Sequence, residues 1–198
     1  YYAMLTMNYD TMELLLKNGA NPNMHSKFFT YPDLHKKGQN SEQNTGVCLE
    51  YSGYPAYDIK YMKLLIKYGA NVNDTTYISP LSSAIRDKNQ GKEKIKYLVE
   101  HGINLNYSIT KTSVVCSQAT IYNWDMVLFL LDIGADPMAS EDPDFNVASA
   151  VQDYYDEGFD LDSENGKMAQ EVKRRLEQRG IKFPYHPTSQ TTSSGSRK

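Results

Sequence analysis

Four stretches of this chain nearly repeat one another: "MELLLKNGANPN", "MKLLIKYGANVN", "IKYLVEHGINLN" and "VLFLLDIGADPM". Aligned on Gly19, Gly69, Gly102 and Gly134, they are separated by 50, 33 and 32 residues. A phrase returning at a period near 33 residues constrains the fold strongly, because each copy has to bury the same face in the same way. Each phrase reads as the end of a helix. In "DMVLFLLDIGAD" the residues Met126, Val127, Phe129, Leu130 and Leu131 cover most of the helix surface, so it has to be packed on both sides. Glycine comes next, where a helix commonly stops with one left-handed residue. The "GANVN" and "GADPM" runs suit a turn leading into an extended finger.

A partner helix is expected about 16 residues before each glycine. "SPLSSAI" (79–85) is the clearest: Ser79 suits the N-cap, Pro80 the first turn, and Leu81 and Ala84 share a face. Its fellows are "YYAML" at the start and "SVVCSQA" (113–119). With phrase, period and paired helix together, the chain resembles the ankyrin-repeat family over about 1–139. "SPLSSAI" is similar to the family's T-P-L-H-x-A, and the first two phrases match its L-L-L-x-x-G-A-x-x-N. The resemblance implies an all-α solenoid of stacked helix-turn-helix units with short β-like fingers. About five units are expected over 1–184, at about 1–23, 24–73, 74–106, 107–139 and a divergent C-terminal cap at 140–184. Tyr1 falls where the family has its histidine, so the first unit lacks its opening turn. A repeat cannot shelter its own apolar face, so neighbours have to stack.

The spacing departs from the period in three places. An insertion at about 27–47 lengthens the first gap; "HKKGQNSEQN" reads as a polar loop, whereas "FFTYP" either folds back onto the array or awaits a partner. A longer loop is expected around "KNQGKEK". In the last unit "FNVASAVQDYYDEG" reads as a first helix and "KMAQEVKRRLEQRGIKFP" as a second ending at Gly180, with "DEGFDLDSENG" as surplus between them. Lys173, Arg174, Arg175 and Glu177 there replace apolar residues, as a cap facing water requires. Residues 185–198 read as a flexible Ser/Thr-rich tail.

The formal net charge of −3 argues against nucleic acid as a partner, and no apolar run is long enough to span a membrane. Cys48 and Cys116 form no metal or disulfide pattern, which fits a reduced, cytoplasmic setting; Cys116, on a first helix, is expected in the core. No phosphate loop, dinucleotide fingerprint, zinc-protease motif or nucleophile elbow is present, so no enzymatic activity and no cofactor are expected. His25, His35, His101 and His186 are scattered, and His101 suits the C-terminal end of a helix. Nine carboxylates and no lysine or arginine lie between Glu141 and Glu164. That stretch is either a solvated face or a docking surface for a basic partner. Inside it, Asp160, Asp162, Glu164 and Glu171 occupy positions 1, 3, 5 and 12 of a calcium-loop series, but Asn165 stands where position 6 requires glycine and Gly166 comes one place late.

In the ankyrin family partners dock on the concave face, at the finger tips and the ends of the first helices. Carried over position by position, the resemblance implies a protein-binding strip of Lys27, Phe28, Tyr77, Arg86, Asp87, Tyr107, Lys111, Thr120, Ile121 and Tyr122. Pro55 and Ala56, at the matching place in the second unit, depart from the pattern. The expected function is a non-enzymatic protein–protein interaction module, monomeric on its own. The "KYGANVN" and "HGINLN" phrasing resembles bacterial or viral members, which implies an effector in a host cytosol or an antagonist of a toxin. The alternative is a substrate-recruiting part of a larger enzyme, its catalytic domain lying upstream.

Overall fold

The computed structural model describes residues 2–25, 46–74, 79–107 and 112–187. It divides into two compact units, Tyr1–Leu105 and Asn106–Lys198. The described residues are helical, with no strand; an isolated antiparallel bridge joins Thr112 to Ser140. The β-like fingers expected from the sequence are not formed as strands there, and most finger residues (75–78 and 108–111) lie outside the described residues. No described helix is long and apolar enough to cross a membrane.

The first unit holds α1 (Tyr2–Leu5), α2 (Tyr9–Lys17), α3 (Cys48–Ser52), α4 (Ile59–Lys67), α5 (Pro80–Ala84) and α6 (Gly91–Glu100). They pair as hairpins, α1 with α2, α3 with α4 and α5 with α6; α3 packs on α5 and α4 on α6. Short polar side chains start three of them. Asn8 accepts from the Thr11 N–H, Asp58 from the Lys60 N–H and Ser79 from the Ser82 N–H, with Pro80 in the first turn of α5. Leu49, Met62, Leu65, Leu81, Ile95 and Leu98 are fully buried between the hairpins. Each buried aliphatic side chain contributes about 1.5–3 kcal/mol.

The second unit holds α7 (Val114–Ala119), α8 (Trp124–Asp132), a 3-10 turn (Pro143–Phe145), α9 (Val147–Asp156) and α10 (Glu164–Gln178). Here α7 pairs with α8 and α9 with α10, while α7 packs on α9 and α8 on α10. Val127, Leu130, Val151, Val172 and Leu176 fill the space between them, and Cys116 is a buried core thiol. The expected surplus "DEGFDLDSENG" is shorter than the sequence suggested. Ser163 caps α10 by accepting from the Gly166 N–H, so Glu164, Asn165 and Gly166 are helical. Gly166 sits against the preceding loop so closely that a Cβ there would meet the Asp160 carbonyl at 2.2 Å. The first residue of the expected tail is held in place instead. Tyr185 is anchored on α9, its N–H donating to Gln152 Oε1 and its hydroxyl accepting from Asn146 Nδ2.

The recurring phrase has one recurring geometry. Gly19, Gly69, Gly102, Gly134 and Gly180 all take φ between 83° and 98°. Around Gly69, its own N–H reaches the Ile66 carbonyl and the Ala70 N–H the Leu65 carbonyl, both at 3.0 Å, which satisfies carbonyls the helix end leaves open. The asparagine four residues on then grips the next such turn. Asn23 accepts from the Asn71 N–H at 2.7 Å and donates to the Gly69 carbonyl at 2.9 Å. Asn73 does the same to Asn104 and Gly102, at 2.7 and 2.9 Å. In the second unit Asn106 accepts from the Asp136 N–H at 2.9 Å. Met138 stands at the corresponding place after Gly134.

Candidate protein-binding surface

Of the strip expected from the sequence, Lys27, Phe28, Tyr77 and Lys111 lie outside the described residues. In the first unit Arg86 is exposed at the end of α5, its guanidinium 5.8 Å from the centre of the Tyr54 ring. Asp87 is a correction: it is 4% exposed and cannot face a partner. Its carboxylate receives Lys94 Nζ at 2.7 Å and the N–H groups of Asn89 and Gln90 at 2.9 and 3.0 Å. Burial would raise the Asp87 carboxyl, but the Lys94 ammonium and the two amides outweigh it and hold it below the usual carboxylate range.

In the second unit Tyr107, Thr120 and Ile121 are exposed and Tyr122 is half-buried. The structure brings Thr120 and Tyr122 together with Asp144, Phe145, Ala150 and Asp153 around a cavity of about 190 Å³. The local chain path explains how. Tyr122 is in the left-handed region, φ 54°, and closes α7 as glycine closes the longer helices: its N–H meets the Ala119 carbonyl and the Asn123 N–H meets the Gln118 carbonyl. A side chain in that conformation costs about 1–2 kcal/mol. Ring packing offsets the cost. Tyr122 stacks on Trp124 at 5.7 Å and meets Tyr154 and Phe159 edge-on at 5.2 and 5.3 Å. Tyr154 and Phe159 stack at 4.7 Å. Such pairs add about 0.5–1.5 kcal/mol each.

Asp144 and Phe145 reach the cavity from the 3-10 turn, which Asp142 starts by accepting from the Asp144 N–H. Ala150 and Asp153 come from successive turns of α9, whose register is set by Asn146 and Ser149 each bonding the other's main-chain N–H. The charge here is of one sign. Burial, then the Glu157, Asp156 and Asp144 charges, raise the Asp153 carboxyl. Burial, then hydrogen bonding to Glu157 and the Glu157 and Asp153 charges, push the Tyr122 phenol up to about 12. The phenol therefore stays protonated at neutral pH and acts as a wall and a donor.

Sequence reasoning places Thr120, Ile121 and Tyr122 on a surface but misses Asp144, Phe145, Asp153 and Phe159. The signal available is the acidic run from Glu141 to Glu164, which leaves open which carboxylates share a site. The calcium-loop set is not assembled. Glu171, on the face of α10, receives Arg174 Nε and Nη2 at 2.7 Å and Arg175 Nε at 2.8 Å. Those hydrogen bonds hold its carboxyl down at about 2. Asp160 accepts from the Asp162 N–H. Among the described residues no group of three His, Cys, Asp or Glu side chains could hold a metal ion. Burial pushes the Cys48 thiol up to about 11 and raises that of Cys116, so neither is poised as a thiolate.

Compared with protein-family models and with curated proteins, the chain matches none.

Proposed function

We propose that this chain is a non-enzymatic interaction module of ankyrin type, in which stacked helical hairpins present a fixed surface to another protein. One observation carries the reading. The glycines and asparagines that recur from phrase to phrase are engaged in closing and linking the turns, whereas the exposed apolar side chains around Tyr122 recur nowhere. Gly69 and Asn73 close one turn and grip the next. Ile121, Phe145 and Phe159, by contrast, are 67%, 50% and 42% exposed. Single exposed apolar side chains are ordinary, but grouped ones at an aromatic cavity mark interaction surfaces. Presenting them on closed turns and a capped helix lowers the ordering cost of binding.

The test uses the full chain and the variant Ile121→Asp, Phe145→Asp as baits in a quantitative cross-linking capture. The variant keeps the helical circular-dichroism signal, since both side chains are exposed and neither belongs to the ring cluster of Tyr122, Trp124, Tyr154 and Phe159. A protein captured by the wild type and lost with the variant is the expected result. Equal recovery of the same proteins by both baits overturns the proposal.

A further inference from the structure

We infer that the cavity beside Tyr122 receives a lysine or arginine side chain from a basic segment of the bound protein, an inference that rests on the protein-binding reading above.

The lining selects the ligand. Tyr122, Phe145 and Ala150 contribute two aromatic rings and a methyl group, while Asp144 and Asp153 put two carboxylates on the same cavity. A wholly apolar ligand would strip water from those carboxylates and give nothing in return. An anion would be repelled by them. A bare divalent ion would need a third ligand, and the described residues supply no such group. A charged head on an apolar stem meets both demands: its methylenes lie along the rings, and its N–H groups reach the carboxylates.

The described residues do not fill this role themselves. Among the described residues neither Asp144 nor Asp153 is ion-paired, and the charges acting on Asp153 (Glu157, Asp156 and Asp144) are all negative. Three cations of the same unit are engaged elsewhere. Arg174 and Arg175 hold Glu171, Arg175 also reaches Asp132, and Lys173 lies 4.5 Å from the centre of the Tyr155 ring. Exposed Phe145 lines the cavity, Ile121 lies in the chain between its lining residues Thr120 and Tyr122, and Phe159 packs edge-on against Tyr122, which leaves apolar surface for residues flanking the inserted one.

The test is a ¹⁵N-NMR titration of the full chain with four pools of short peptides. The pools share randomised flanks and differ in a fixed central residue: arginine, lysine, citrulline or glutamate. Citrulline keeps the shape of arginine without its charge. The arginine and lysine pools are expected to shift the amides of Thr120, Tyr122, Ala150 and Asp153. They are also expected to bind about tenfold more tightly than the citrulline pool, the scale of a charged hydrogen bond. The exposed double substitution Asp144→Asn, Asp153→Asn should bring the arginine pool to the citrulline level with the helical fold retained. Equal binding of the arginine and citrulline pools, shifts confined to other residues, or no binding by any pool overturns the inference. If the cross-linking capture still distinguishes the baits, the protein-binding reading survives that failure; if the capture fails too, both fall.

Discussion

The Lys94 ammonium lies 2.7 Å from the Asp87 carboxylate, and both side chains are shut off from solvent. The same nitrogen donates to the Tyr54 and Tyr57 carbonyls at 2.9 and 2.6 Å and lies 3.2 Å from that of Gly53. One cation on α6 thus holds the loop between α3 and α4 together with the loop that precedes its own helix. Lys94→Met leaves a buried carboxylate without its counter-charge and these carbonyls without their donor, and should cost about 3–5 kcal/mol. Adding Asp87→Asn removes the stranded charge and should recover part of the loss. Urea unfolding of the two variants checks both statements; a single-variant loss below about 1 kcal/mol contradicts them.

The asparagine grips should act as discrete fasteners. Asn73→Ala removes the acceptor for the Asn104 N–H and the donor to the Gly102 carbonyl. At a surface-facing turn this should cost about 1–3 kcal/mol. Hydrogen exchange at the Asn104 amide should quicken more than at amides inside α4. Uniform loss of protection across the first unit would argue that the grip is not local.

Two glycines should answer alanine differently. At Gly102, φ 83°, an added Cβ meets nothing within 4 Å, so Gly102→Ala costs only the left-handed conformation, about 1–2 kcal/mol. At Gly166 the φ is ordinary, yet a Cβ would lie 2.2 Å from the Asp160 carbonyl and 2.6 Å from Leu161 Cα. Gly166→Ala therefore has to displace the chain before α10 and should lower Tm by the larger amount. Thermal melts of the pair decide it.

Acid should act on two sites with opposite sign. Hydrogen bonds from Arg174 and Arg175 hold Glu171 at about 2 in the folded chain, below its unfolded value. Its contribution to stability is present above the unfolded value and lost as the pH falls toward 2. Asp153 is raised by burial and by Glu157, Asp156 and Asp144. Its ionisation opposes folding at neutral pH, and that opposition is relieved as the pH falls through its folded value. Glu171→Gln should accordingly lower Tm near neutral pH and converge with wild type in acid. Asp153→Asn should raise Tm near neutral pH and likewise converge. Parallel melting curves across the range would contradict this account.

Much of the scaffold is legible because it is written locally. Gly69 ending a helix, Ser79 and Pro80 starting one, and Leu81 with Ala84 on a buried face all depend on neighbours within a few positions. The features that stay hidden are set by distant residues. Asp87 has the sequence context of an exposed helix end, and its burial is made tolerable by Lys94, brought back by α6, together with the Asn89 and Gln90 amides. Gly166 has the context of a loop, yet Ser163 caps the helix ahead of it. Asn73 reads as a turn residue, whereas its partners Gly102 and Asn104 lie in the next phrase. The cavity is half-readable for the same reason: Thr120 and Tyr122 belong to one repeat position, but Asp144, Phe145 and Asp153 come from the irregular last segment, where no period predicts the residues that face Tyr122.

Met138 gives the second unit a stop mark. Where Asn106 clasps the turn at Asp136, a thioether has no amide with which to clasp another, so no identical copy can be appended beyond that turn by the same means. The final hairpin is attached by other bonds, the Val147 N–H on the Pro137 carbonyl and Arg175 on Asp132. Freed from the shared spacing, it can vary in length and composition without disturbing the copies before it, and the acidic, aromatic-rich stretch occupies that latitude.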